Sequence, residues 1–322
     1  GSPDMGTGHT TAISQIVAEE LSVNPENVTV DHFDSNFSPW TPYSGTHANK
    51  FSGPDVEVTL QASKRLRAKV IAIGASLLEA NPIDIELEDG KAFVKGSKEH
   101  YKTLMEIARA AYQNPKLLPE GVEPGLEVTA IGNTPLATGA FMTDAKYEVG
   151  ALHQLVTGPG SPTSFMTYPS SAHIAVVEVD VHTGQVRILN YVIVHDCGRI
   201  INPLIVQGQV QGNAVHGIGV ALLEQFVYDE DGQLLNSSFV DYLKPTTCEV
   251  PNIVDDHVVT PSPRSSIGIK GVGEGESLGP LASLANAVED AIRPLGREIR
   301  IQSLPLTPEK IYDLLKRAKK DP

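Results

Sequence analysis

Ile267-Gly-Ile-Lys-Gly-Val-Gly-Glu-Gly-Glu-Ser-Leu-Gly-Pro280 is a glycine-rich loop that holds two acids and runs straight into an apolar helical pattern over Leu278–Ile292. Gly271, Gly273 and Gly275 let the backbone fold tightly and lie close to a ligand. Glu274 stands at the centre of that turn, where its carboxylate can be presented to a bound group. A phosphate loop would share the glycines but place a Lys or Ser where Glu274 and Glu276 stand, and two carboxylates repel a phosphate. The dinucleotide fingerprint also fails, because Gly271-x-Gly273-x-x lands on Glu276. The residues therefore read as a general base on a rigid turn. An unrelated phosphate-binding enzyme is the disfavoured alternative.

Upstream of that loop the second half of the chain is rich in strands. Ala172–Asp180 and Val186–Val194 are β-branched runs joined at His182-Thr-Gly-Gln185, a hairpin signal. Asp196-Cys-Gly-Arg-Ile-Ile-Asn-Pro203 feeds a helix from about Leu204 to Gln225. Phe226–Tyr228 and Leu234–Phe239 flank a polar turn at 229–232. Ile299–Gln302 reads as a short strand, and Thr307–Lys319 as a closing helix with Pro308 in its first turn. In the first half, Asp4–Thr11 leads into a helical period over Ala12–Leu21, and its glycines and hydroxyls suit an anion or polar-ligand cradle. Val28–His32 alternates like a strand, and Pro54–Glu79 reads as a long helix. Ile83–Glu88 and Lys91–Lys95 form a hairpin around Asp89-Gly90. Tyr101–Ala111 follows as a helix, and Asn114–Gly125 as a linker. The expected class is α+β, mixed sheets with packed helices. The expected organisation is a first lobe over 1–125 and a second over 126–322 that carries the glutamate loop.

Composition removes several function classes. The 322 residues, 41 % hydrophobic and 20 % charged, are those of a globular protein able to bury a large core. A net charge of −14 argues against a nucleic-acid partner or an anionic membrane. No apolar run reaches the ~18 residues of a membrane helix. Two cysteines, Cys197 and Cys248, are too few for a disulfide framework or a Cys-based metal site, and point to a reducing, cytoplasmic setting. Cys197 reads as a small buried residue, and His173 and His216 as core or interface histidines.

Three segments, in order, carry a family pattern. Gly6-Thr-Gly-His-Thr-Thr11 precedes Gln15–Leu21. Val176-Val-Glu-Val-Asp180 with Thr183-Gly184 is followed by Asp196–Pro203 and Gly208-Gln-Val-Gln-Gly212. Lys270-Gly-Val-Gly-Glu-Gly275 precedes Leu284-Ala-Asn-Ala-Val288. Together, from about residue 4 to 305, they resemble the C-terminal half of the molybdopterin-binding region of the xanthine dehydrogenase, aldehyde oxidoreductase and carbon monoxide dehydrogenase large subunits, the molybdenum hydroxylases. The resemblance implies an oxidoreductase that inserts water-derived oxygen into an aldehyde or N-heterocyclic carbon. Its cofactor would be a molybdopterin dinucleotide carrying molybdenum with no metal bond from the protein. Glu274 matches the catalytic base of that family. Thr7, Gly8 and His9 match the loop that grips the pterin near the metal. Gly45, Thr46, His47, Ala48 and Asn49 fall where the family surrounds the dinucleotide phosphates. Gln209, Val272 and Gly273 complete the expected cofactor contacts.

The resemblance also implies what lies elsewhere: iron–sulfur clusters and FAD on partner chains, an iron–sulfur subunit and a FAD subunit, and a small-molecule substrate. The N-terminal half of the molybdenum region is expected as a separate chain or as a segment outside this one. Thr7 replaces the glutamine of the family's Gly-Gln-Gly loop, Asn49-Lys50 stands in place of a Ser-Arg pair, and Glu276 replaces a small residue. A cofactor-free scaffold or assembly subunit of the same fold is the alternative.

Overall fold

The structure is a computed structural model that describes residues 2–31, 45–46, 49–131, 167–295 and 300–320. The chain forms two compact units, Gly1–Thr167 with Pro263–Ser266, and Tyr168–Ser262 with Ile267–Pro322. The boundary read from sequence at 125/126 falls inside the first unit. Among the described residues the secondary structure is helices and two three-stranded sheets, an α+β class as expected.

In the first unit, α1 (His9–Leu21) packs on α2 (Val56–Leu77). Asp89 and Gly90, both at positive φ, turn β1 (Ile85–Glu88) into β2 (Lys91–Val94), and β3 (Ser97–Thr103) completes an antiparallel sheet. α3 (Leu104–Gln113) follows directly. Its apolar face places Ile107, Ala110 and Ala111 against Val70 and Ile73 of α2 and Ile85, Leu87 and Ala92 of the sheet. Burying each large aliphatic side chain of this cluster contributes roughly 1.5–3 kcal/mol.

The second unit is built on β4 (Ser170–Val179) and β5 (Val186–Asp196), antiparallel as the hairpin signal implied. β6 (Ile253–His257) lies parallel to β5 on its other side. α4 (Pro203–Leu222) and α5 (Gly279–Ile292) supply the covering layer. Tyr191 and Ile193 of β5 meet Val210, Ala214, Ile218 and Ala221 of α4 and Leu284 of α5 in a fully buried cluster. α6 (Pro308–Lys320) closes a second cluster with Val288, Ile292 and Leu306.

Three local expectations are corrected, and one strand is added. Tyr101–Thr103 end β3 rather than begin a helix, because Thr103 and Glu106 form a reciprocal capping box that starts α3 at Leu104. Residues 28–31 form no strand. They follow a 3-10 turn capped by Asn24, and neither edge of the β1–β2–β3 sheet pairs with them. Residues 300–302 are also not a strand, since the Ile301 amide is taken by the Glu289 carboxylate at 2.6 Å. His32 and Ile299 lie outside the described residues. Conversely, β6 was not anticipated because Asp255 and Asp256 interrupt its apolar pattern. Asp255 is used there to accept bonds from Gln207 and Gln211 of α4 at 3.3 and 2.7 Å.

Candidate functional site

The glycine-rich loop is a turn anchored at both ends. At its start, Gly198 and Ile269 form an isolated antiparallel bridge, and the Lys270 amide donates to the Cys197 carbonyl at 2.8 Å. Lys270 Nζ meets Asp196 Oδ2 at 2.9 Å, with both side chains 12 % exposed. At the tip, the Gly275 amide donates to the Val272 carbonyl at 3.2 Å, and the Ser277 hydroxyl donates to the Glu274 carbonyl at 2.8 Å. The left-handed residues of the loop are Gly268 and Glu274, at φ 75° and 57°. Gly271, Gly273 and Gly275 are not left-handed, so their lack of a side chain serves close approach instead. A Cβ on Gly275 would sit 3.3 Å from the Val272 carbonyl oxygen. A glutamate held in a region that favours glycine costs of order 1–2 kcal/mol and persists only where its surroundings fix it. Glu274 is exposed, and Glu276 is fully buried at 1 %.

α4 runs beside this tip. Asn213 Nδ2 donates to the Val272 carbonyl at 3.3 Å, and Gln209 Oε1 lies 3.8 Å from where a Gly273 Cβ would stand. Gln209, Val272, Gly273 and Glu274 are thus brought together within the second unit. The glycines of α4 fall into two kinds. Side chains at Gly217 and Gly219 would strike the Ser277 carbonyl at 2.3 Å and Glu224 at 2.4 Å, so packing explains them. Among the described residues, side chains at Gly208 and Gly212 would meet nothing within 4 Å. Glycine in a helix interior costs about 1 kcal/mol relative to alanine, and no contact among the described residues requires it at these two positions. Bare backbone flanking Gln209 is what close approach by an external group requires.

The remaining predicted residues lie in the first unit. Gly8, at φ 73°, precedes α1, and Asp4 caps that helix: its carboxylate accepts from the Gly8 amide at 2.9 Å and the Thr10 amide at 3.1 Å. Burial raises the pKa of Asp4, but the Thr10 and Gly8 amides outweigh it and hold the group below its ordinary value. The cradle read from sequence is therefore filled by a carboxylate of the chain itself, which disfavours an anion there and leaves the loop suited to a neutral polar edge. Thr7 Oγ1 also turns to Asp4, at 3.5 Å. His9 is buried and stacks on Phe51 with ring centroids 4.0 Å apart. Thr46 Oγ1 donates to the Pro3 carbonyl, which brings the two predicted loops together. Asn49 donates to the Thr167 carbonyl at 2.8 Å. The Thr46 hydroxyl and one of the two Asn49 amide hydrogens are thus engaged within the fold. His47 and Ala48 lie outside the described residues.

Further groups, none of them read from sequence as part of the site, shape the second unit. His173 on β4 contacts Glu276 through Nε2 at 3.0 Å and the Tyr191 hydroxyl through Nδ1 at 2.9 Å. Tyr191 in turn meets Ser283 of α5 at 2.9 Å. Burial pushes the Tyr191 phenol up to about 12, despite the Ser283 bond. Burial also pushes the Cys197 thiol up to about 11, so it remains protonated and unreactive at neutral pH. Asp196 is raised by burial, but bonds from Thr260, the Gly198 amide and Lys270 hold it far below its ordinary value. Among the described residues no group of His, Cys, Asp and Glu is placed to hold a metal ion, and no helix is long and apolar enough to cross a membrane.

With this geometry in view, the profile of the molybdopterin cofactor-binding domain matches residues 1–251. The chain belongs to that family. Among curated members it is 32 % identical over 291 residues to the carbon monoxide dehydrogenase large chain of Afipia carboxidovorans, covering 90 % of this chain and 32 % of that one. It is 34 % identical over 312 residues to the nicotine 6-hydroxylase large subunit of Paenarthrobacter nicotinovorans, covering 97 % and 34 %. Among solved structures it matches quinoline 2-oxidoreductase from Pseudomonas putida 86 with a TM-score of 0.75 and 31 % identity, covering 97 % of this chain and 35 % of that one. The chain spans about a third of the length of these relatives. The family match ends before the glycine-rich loop, so the role of Glu274 rests on geometry and on the resemblance of its motif.

Proposed function

We propose that this chain is the cofactor-binding, base-bearing part of a molybdenum hydroxylase that oxidises an aldehyde or N-heterocyclic carbon, with Glu274 as general base. The observation that carries the reading is the exposed Glu274 carboxylate, held in a left-handed turn whose Gly273 lies near Gln209, on the helix that also carries the bare Gly208 and Gly212. The open glycine face fits a group that must lie against a helix, and the loop at Thr7 and Gly8, which already holds the Asp4 carboxylate, suits a neutral polar edge of a heterocycle. Gln209, Val272 and Gly273 would hold the molybdopterin dinucleotide, and Thr7, Gly8, His9 and positions 45–49 match further cofactor contacts of the family. When bound, that group supplies the two-electron redox chemistry. Glu274 supplies proton abstraction from the oxygen nucleophile, and an ionised carboxylate within hydrogen-bond reach is what this step needs. Quinoline and nicotine in the names of two relatives support an N-heterocyclic substrate. Iron–sulfur and FAD subunits, and the rest of the large subunit, belong to the same proposal. So does a reducing, cytoplasmic setting, consistent with free Cys197 and Cys248.

The test begins with molybdenum and pterin content of the chain purified with its companions. Near-stoichiometric amounts are expected, and their absence would favour a cofactor-free scaffold. In the loaded enzyme, Glu274→Gln should retain molybdenum while turnover falls by about 10²–10⁴, the usual contribution of a positioned base. Turnover near wild type would remove Glu274 from that role.

A further inference from the structure

Of the two acids in the loop, the one that stands in place of a small residue is the one the fold buries. Glu276 is 1 % exposed and Glu274 is exposed. A carboxylate is buried only where hydrogen bonds replace its water. Here the replacement is a relay that crosses the unit: Glu276 Oε2 to His173 Nε2 at 3.0 Å, His173 Nδ1 to Tyr191 at 2.9 Å, and Tyr191 to Ser283 at 2.9 Å. The Ser171 hydroxyl adds a contact to His173 Nε2 at 3.1 Å. The relay ties the end of the loop to β4, β5 and α5 together. Space for the imidazole exists because residue 279 is glycine: a Cβ there would lie 2.3 Å from His173 Nε2. The other end of the loop is fixed by the Asp196–Lys270 pair and the Gly198–Ile269 bridge. Glu274, in its unfavourable left-handed conformation, sits between these anchors.

We propose that Glu276 and His173 are a positioning pair that fixes the 272–277 loop and so sets the direction in which Glu274 is presented. The functional half of this inference rests on Glu274 being the base. The pair acts through the backbone between residues 276 and 274 and touches no reacting group itself.

The experiment uses the assembled enzyme with Glu276→Ala, Glu276→Gln and His173→Ala. Hydrogen exchange of the Gly275 and Ser277 amides should accelerate by about tenfold or more in both alanine variants, with β5 and α4 amides unchanged. kcat should fall at least about tenfold with KM little altered and molybdenum and pterin content retained, since displacement of a reacting group by about 1 Å costs this much or more. Glu276→Gln keeps the shape and a polar contact to His173, so it should recover most of the lost turnover and loop protection. Unchanged loop exchange in Glu276→Ala would overturn the clamp, as would acceleration spread evenly over β4, β5 and α5. The exchange result decides the clamp independently of Glu274. If Glu274→Gln retains full turnover while the loop still opens in Glu276→Ala, the base assignment fails and the clamp stands.

Discussion

Adding a methyl group at Gly212 separates what the fold needs from what a bound cofactor needs. Gly212 lies within α4, and a Cβ there meets no atom of the described residues within 4 Å. Alanine is favoured over glycine in a helix interior by about 0.8–1.0 kcal/mol, chiefly because the unfolded chain loses less backbone entropy. Gly212→Ala should therefore stabilise the cofactor-free chain by up to about 1 kcal/mol, a rise in Tm of a few degrees, roughly 2–4 °C. If the bare backbone beside Gln209 is a cofactor cradle, the same methyl overpacks it. An overpacked contact costs about 1–3 kcal/mol, which corresponds to roughly 5- to 150-fold weaker binding. The assays are thermal unfolding of the chain without cofactor and molybdenum and pterin content after reconstitution. The expected result is opposite signs: higher Tm, lower occupancy. A fall in Tm would show an unrecognised structural need for Gly212. A rise in Tm with unchanged occupancy would refute the cradle.

Other perturbations follow from the same unit. Gly279→Ala drives a Cβ to within 2.3 Å of His173, whose ring is held by three partners. Overpacking and strained bonds to buried Glu276 should cost about 2–4 kcal/mol after the helix-propensity gain, and a chemical denaturation midpoint equal to wild type would refute the clash. Asp196→Asn leaves Lys270 unpaired at 12 % exposure and should cost about 3 kcal/mol. The pKa of Asp196 is depressed in the folded state. Its contribution is therefore complete above the ordinary value of 3.8 and is lost as pH falls through the lower folded value. The stability gap between wild type and Asp196→Asn should be full at neutral pH and should narrow progressively below about pH 4; a gap that does not narrow on acidification would show that the Asp196 charge is not its source.

Sequence patterns were legible where local chemistry decides the structure. The Asp89-Gly90 hairpin, the β4–β5 pair and a helix starting at about Leu204 all follow from short-range signals, and each is present. The capping box at Thr103 and Glu106 was an equally local signal, and it marks the start of α3 more sharply than the apolar period through Tyr101. β6 was hidden for a different reason. Its Asp255 is compatible with a strand only because two glutamines of α4 reach it, and no window around residue 255 contains those partners.

The site shows the same division. A glycine loop carrying acids announces a presented carboxylate, but it does not say which acid is presented. Glu274 and Glu276 are alike in type and share the same glycine-rich neighbourhood, and only the fold tells them apart. The burial of Glu276 is decided by His173 on β4, Tyr191 on β5 and the missing side chain of Gly279, all brought to it by tertiary packing. His173 alone gives no sign of this, because a single histidine in a strand pattern reads as core. The motif thus locates the turn, whereas the buried carboxylate two positions after Glu274 supplies the rigidity that a positioned base requires. A reading confined to the motif would treat Glu276 as a departure from the pattern; the packing makes it part of the device that holds the pattern in place.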